Sequence, residues 1–335
     1  MKKVKIAMIS KWFVHVERFT KLLKEYEESE IVAVWDYDVK RGKEFAEEIE
    51  CPFVEDYEEL LKNPEIDGFV IMAPVTMHEE LIIKAVKAGK HIFTEKPLSV
   101  SRESAYRIRQ AVKESGVKFI MSDPIVKPAL IQVKQMIDEG VVGKITNVRI
   151  RNTSCANIGK PDHWALSHTS EEMGGGDLID LGHHTIHILL YLLGKAKQVH
   201  ASLTSFSEKA KNEKFEDNAV AVYQFANGVI GIAETGSLSI GSSYELSVYG
   251  DKGCIYSTKS HVKYCKEDGK WIEIRDEELP QGYPYILKYW LLGILENYEY
   301  EQYGIEDSVI CLEMIMAAYE AAKKETEVFY RKQDT

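Results

Sequence analysis

The chain has 335 residues, of which 45% are hydrophobic and 28% charged, with a formal net charge of −11. That length exceeds one ordinary core and predicts two domains, able to bury enough surface to stand without disulfide or metal staples. The acidic balance excludes nucleic acid and anionic membrane surfaces as partners, and no apolar run reaches the ~20 residues that cross a bilayer. Five cysteines, at 51, 155, 254, 265 and 311, lack metal-ligand spacing and read as reduced thiols. Met1-Lys2-Lys3 leads into a short strand rather than the apolar core of a leader, so a cytoplasmic protein is expected.

Strand and helix alternate over the first 122 residues. Strands are predicted at 4–9, 31–35, 68–72, 91–94 and 117–121. Helices are predicted at 16–26, 40–49, 78–88 and 101–115. Such alternation implies a parallel sheet wrapped by right-handed crossovers, with ligands outside the carboxyl ends of the strands. Asp36, Pro74, His78 and Glu95-Lys96-Pro97 lie at such ends. Beyond residue 123 the pattern turns to two-residue alternation, at 146–151, 199–205, 219–225, 229–235 and 244–249. Helices are expected at 129–139, 185–193 and 307–323. The fold class is therefore α/β: a dinucleotide-binding domain at 1–122 and an α+β domain with a large open, mainly antiparallel sheet at 123–335. The last helix is a candidate to pack back on the first domain.

The first strand-to-helix turn reads Ile9-Ser10-Lys11-Trp12-Phe13-Val14-His15 and holds no glycine. Dinucleotide loops use glycines to turn tightly and let backbone approach a pyrophosphate. Lys11 and the helix N-terminus remain to attract phosphate; the bland alternative is a loop that binds none. Asp36 suits the ribose hydroxyls of NAD and repels a 2′-phosphate, with Lys40 and Arg41 near enough to soften that preference. Its bland reading is a solvated loop acid. Lys96 is either a surface lysine or an oxyanion donor in a cleft.

The densest motif is Gly174-Gly175-Gly176-Asp177-Leu178-Ile179-Asp180-Leu181-Gly182-His183-His184-Thr185-Ile186-His187. At helical period Asp180, His184 and His187 share a face. Three readings stay open. The histidines are satisfied core residues; or, with Asp180, His163 and His168, they ligate zinc; or they perform acid–base chemistry.

In this order and spacing, several pieces together resemble the Gfo/Idh/MocA-type oxidoreductases, which include glucose-fructose oxidoreductase and inositol dehydrogenases. The pieces are Asp36, Ala88-Gly89-Lys90-His91 with Glu95-Lys96-Pro97, Glu139-Gly140 with Gly143, Gly174-Gly175-Gly176 with Asp180 and His184, and Glu216-Asp217 ahead of Asn227-Gly228. The resemblance spans nearly the whole chain. It implies a Rossmann domain, a substrate domain and NAD (NADP less so) in the cleft between them. Lys96, Asp180 and His184 match the catalytic lysine, aspartate and histidine. His184 would take the hydroxyl proton, Lys96 would donate to the same oxygen, and Asp180 would orient the imidazole or bind a sugar hydroxyl. Ser10, Lys11, Trp12, Asp36, Pro74, His78 and Glu95 are the expected cofactor contacts. His15, His163, Trp164 and His187 are the expected substrate contacts, with no resident metal. His187 stands where many relatives carry a second acid.

The expected activity is hydride transfer between nicotinamide and a secondary alcohol of a sugar, sugar derivative or cyclitol, by a homo-oligomer. The alternatives are a redox-neutral glycoside-cleaving enzyme working through a transient 3-keto sugar, and a non-catalytic sugar-binding paralogue.

Overall fold

The computed structural model describes residues 2–122, 126–155, 170–241, 244–280, 285–298 and 304–324. Five strands, β1 (Val4–Ile9), β2 (Ser29–Trp35), β3 (Gly68–Ile71), β4 (His91–Thr94) and β5 (Phe119–Met121), form one sheet. Their order is β2-β1-β3-β4-β5 and every pair is parallel. β3 and β4 bury nearly every residue, as strands covered on both faces must. Helices α1 (Val16–Glu25), α2 (Val39–Glu48), α3 (Tyr57–Lys62), α4 (His78–Lys87) and α5 (Arg102–Ser115) connect them. Local chemistry sets several starts. Asp38, Asp56 and Ser101 cap α2, α3 and α5 by accepting backbone N–H bonds. Register aligns Ile9 with Trp35 and Ile71, Ile71 with Thr94, and Thr94 with Met121. Ser10, Asp36, Met72, Glu95 and Ser122 therefore leave the sheet along one edge.

The second sheet has eight strands. They are β6 (Ile145–Thr153), β7 (Gln198–Thr204), β8 (Asn218–Gln224), β9 (Ile230–Gly236), β10 (Tyr244–Gly250), β11 (Gly253–Ser257), β12 (Val262–Lys266) and β13 (Trp271–Ile274). Their order is β13-β12-β11-β10-β6-β9-β8-β7, antiparallel except for β6 beside β9. One face packs under the Asp177–Leu193 helix, which lies on β6, β8 and β9. Two glycines permit that contact. A Cβ on Gly182 would press on Leu178 and Thr235, and one on Gly231 would meet Phe225 and Leu189. The other face stays open, with Val220, Ile230, Trp271 and Ile272 partly exposed.

Two late helices tie the halves together. Ile305–Lys323 packs on the Asp177–Leu193 helix, β7 and α5. Leu287–Glu296 returns to β1, β4 and β5. Its Trp290 is fully buried, and a Cβ on Gly68 would lie 2.8 Å from that indole. The Leu287–Glu296 helix and strands β11 to β13 have no counterpart among the predicted elements. The Asp177–Leu193 helix starts eight residues before its expected first residue, Thr185. All five cysteines are free thiols, and among the described residues no helix is long and apolar enough to cross a membrane.

Candidate active site

The first loop is held by side chains where glycines were expected. Ser10 is fully buried and takes a left-handed φ of 72°, the conformation a glycine would adopt freely. Asp36 compensates. Its buried carboxylate accepts from Ser10 Oγ (3.1 Å), Lys11 N (2.7 Å), Asp38 N (2.9 Å) and the Arg41 guanidinium through Nε (2.9 Å) and Nη2 (2.5 Å). Five donors exceed the roughly four lone-pair sites of a carboxylate. Asp36 is thus engaged by the protein's own donors. The Arg41 guanidinium also stacks 4.7 Å over the Tyr37 ring. Lys11 pairs with Glu48, Trp12 is half-buried, and the Phe13 N–H reaches Met72 O at 3.0 Å.

A cleft of about 700 Å³ opens beside this edge, lined by residues of both sheets' elements, including His15, Glu95, Asn152, Leu181, His184 and Tyr285. Beneath it Lys96, 2% exposed, forms an ion pair with Asp180 and donates to the Asp180 carbonyl at 2.9 Å. Its ammonium also lies 5.7 Å from the centre of the Phe13 ring. Lys96 follows β4, and the Lys96–Pro97 peptide bond is cis. Asp180 and His184 stand one turn apart on the Asp177–Leu193 helix, so the three residues matched by resemblance converge. Asp180 serves the ammonium of Lys96, a partner different from the expected imidazole.

Glu95 is wholly buried. Burial alone would raise its carboxyl, but the nearby His15, hydrogen-bonded at 2.8 Å, and Lys96 outweigh that effect and hold it below the ordinary value. The start of the Asp177–Leu193 helix is crowded with acids. Burial, with Asp180, Glu216 and Asp217 nearby, pushes Asp177 up to about 7 against a hydrogen bond from Ser237. Glu216 is raised by burial although it accepts from Tyr319 Oη (2.6 Å) and Leu178 N (2.9 Å). Gly176 makes room for this, since a Cβ there would lie 2.1 Å from Glu216 O.

Other expected contacts land elsewhere. His78 is fully buried, with Nδ1 3.2 Å from Leu98 O and Nε2 3.1 Å from Ala73 O, so it braces the segments that follow β3 and β4. Burial lowers its pKa against the pull of those carbonyls. Pro74 is buried and begins the turn into α4. His187 shares the face of Asp180 but lies two turns on, 2% exposed and edge-on to His183 at 5.8 Å, away from the cleft. His163, Trp164 and His168 lie outside the described residues. Among the described residues no group of three or more His, Cys, Asp or Glu converges to hold a metal ion.

A nicotinamide dinucleotide fits this edge in a modified way. The N-terminus of α1, ten residues long, is where the phosphates would sit.

Comparison with known proteins places the chain. The "Oxidoreductase family, NAD-binding Rossmann fold" matches residues 9–122, and the "GFO/IDH/MocA C-terminal domain" matches residues 130–256. The chain is 31% identical over 241 residues to scyllo-inositol 2-dehydrogenase (NAD(+)) of Bacillus subtilis strain 168, covering 68% of this chain and 66% of that protein. It is 28% identical over 228 residues to 2,7-anhydro-N-acetylneuraminate hydratase of Escherichia coli K12, covering 65% and 59%. Both matches span less than two thirds of the relative's own length. In fold it resembles a levoglucosan dehydrogenase solved with NADH and L-sorbose, with a TM-score of 0.81, 20% identity and 97% and 98% of the two chains covered. With a Rossmann sheet, a mainly antiparallel second sheet and both sequence domains matched, the chain belongs to the Gfo/Idh/MocA oxidoreductase family.

Proposed function

We propose that the protein transfers a hydride between NAD and a secondary alcohol of a sugar, sugar derivative or cyclitol. The observation that carries this reading is the buried Lys96–Asp180 pair beneath a cleft that His184 also lines. His184 accepts the hydroxyl proton as the carbinol is oxidised. Lys96 donates a hydrogen bond to the same oxygen as it becomes a carbonyl, and Asp180 keeps that ammonium aimed. The cofactor, when bound, supplies the hydride acceptor. The α1 N-terminus holds its phosphates, and Arg41 weakens discrimination against a 2′-phosphate. Residues 1–122 form the dinucleotide domain and 123–335 the substrate domain, with Leu287–Glu296 returning to cover the first sheet. We infer a cytoplasmic homo-oligomer that covers the open face of the second sheet, because exposed apolar faces of that kind mark association sites.

The test is a fluorescence titration with NAD and NADP, followed by an assay against myo-inositol, scyllo-inositol and levoglucosan. Lys96→Ala is expected to lose at least about 100-fold in kcat, the scale of one oxyanion donor. No dinucleotide binding at millimolar concentration rejects the reading.

A further inference from the structure

One imidazole in the cleft lies outside the chemistry just described. His15 begins α1 and makes no side-chain capping bond. Its ring turns instead to Glu95, with Nδ1 2.8 Å from the carboxylate. Phe13 lies 5.3 Å away at a tilt and Phe19 6.3 Å away edge-on, so the ring has aromatic neighbours on two sides. Glu95 is itself fixed. It is fully buried, its N–H reaches Ile71 O at 3.1 Å, and its carboxylate accepts from Lys96 N at 3.2 Å. A carboxylate on Nδ1 selects the tautomer with its proton there and leaves Nε2 as the base. His15 is half-buried and lines the same cleft as His184. The two imidazoles enter from different sheets' elements. Hydride transfer from an alcohol requires one proton acceptor, and this cleft holds two.

We propose that His15, held by Glu95, is a second proton-transfer group that acts on the carbon next to the reacting carbonyl. The inference rests on the proposed sugar or cyclitol substrate and extends its chemistry. In this step Nε2 of His15 takes the proton from the α-carbon of a cyclic ketone. The C–H electron pair moves into the enolate, and the charge on its oxygen is met by Lys96. Nothing is oxidised or reduced. The imidazolium formed is stabilised by the Glu95 carboxylate, and return of the proton completes an exchange. The charged groups around His15 are Glu95 and, behind it, Lys96, Arg18 on its own helix, and Lys127 and Lys259 along the cleft, which the titratable His184, Cys155, Tyr244 and Tyr285 also line.

The experiment is deuterium exchange. The full-length protein is incubated in D2O with inosose, a cyclic keto-polyol, with and without NADH, and α-deuteration is followed by NMR. Expected is protein-dependent exchange that falls about 100-fold in His15→Gln, the lower range for a lost acid–base group. Glu95→Gln should fall between the two. 15N-histidine spectra should show the Nδ1–H tautomer for His15, a signal lost in His15→Gln. Exchange no faster than in buffer, exchange unchanged in His15→Gln, or an Nε2–H tautomer each overturns the proposal. Failure to bind dinucleotide would sink the dehydrogenase reading alone, because exchange requires no hydride transfer.

Discussion

Two buried aspartates, one beside each sheet, mark opposite ways of housing a carboxylate. Asp36 ends β2 and is surrounded by donors, including a guanidinium and two backbone N–H groups. Asp177 opens the Asp177–Leu193 helix and is surrounded by acids, with its Oδ2 lacking a partner among the described residues. Both are nearly sealed from water. Burial alone does not decide the fate of a carboxylate; the number and sign of its neighbours do. The two surroundings differ in their backbone too. The first loop replaces glycine with side-chain clasps, while the Asp177–Leu193 helix depends on Gly176 and Gly182, where a Cβ has little or no room.

The largest effect that would break this contrast concerns Asp177. With its pKa raised to about 7, the folded protein holds a proton that the unfolded chain, near 3.9, has already released. Stability from this group is therefore full below about pH 4 and declines as pH rises to about 7. Asp177→Asn should remove the decline and raise stability at pH 8 by up to ~4 kcal/mol, because each pH unit between the folded and unfolded values is worth about 1.36 kcal/mol. Urea denaturation at pH 5 and pH 8 measures it, and an equal gain at both values would show that Asp177 is not the crowded acid. Next comes Gly176→Ala. Its new methyl would meet the Glu216 carbonyl, and a loss of about 3 kcal/mol is expected from overpacking against backbone. A thermal midpoint unchanged within a degree would contradict the packing described. The smallest effect is at Ser10→Gly. Relief of the left-handed backbone offsets the lost hydroxyl bond to Asp36, and the net change should stay within ~1 kcal/mol. A large loss would mean that the side-chain clasp alone holds the loop.

Legibility in the sequence followed the range of the interactions. The parallel sheet was readable because its strands are short apolar runs separated by periodic helices. Lys96, Asp180 and His184 were readable through resemblance to a family, since 84 positions separate the lysine from the aspartate it meets. The His15–Glu95 contact spans 80 positions, so no local pattern announces it. The start of the Asp177–Leu193 helix was hidden by its glycines, which read as loop but serve close packing on β9. The surroundings of His78 are not legible for a related reason: a strand-end position suggests a ligand contact, and only the tertiary structure supplies the two carbonyls beside its ring. The Leu287–Glu296 helix lacks the polar stripe that would have marked it, because most of its residues are wholly or partly buried.

That helix has an effect on the order of assembly. Trp290 covers the floor of β1, β3 and β4 from a point far along the polypeptide. During synthesis these strands emerge early but wait for their cover until the ribosome has nearly finished the described chain. Until then the nascent sheet carries a bare apolar surface, the kind that chaperones recognise.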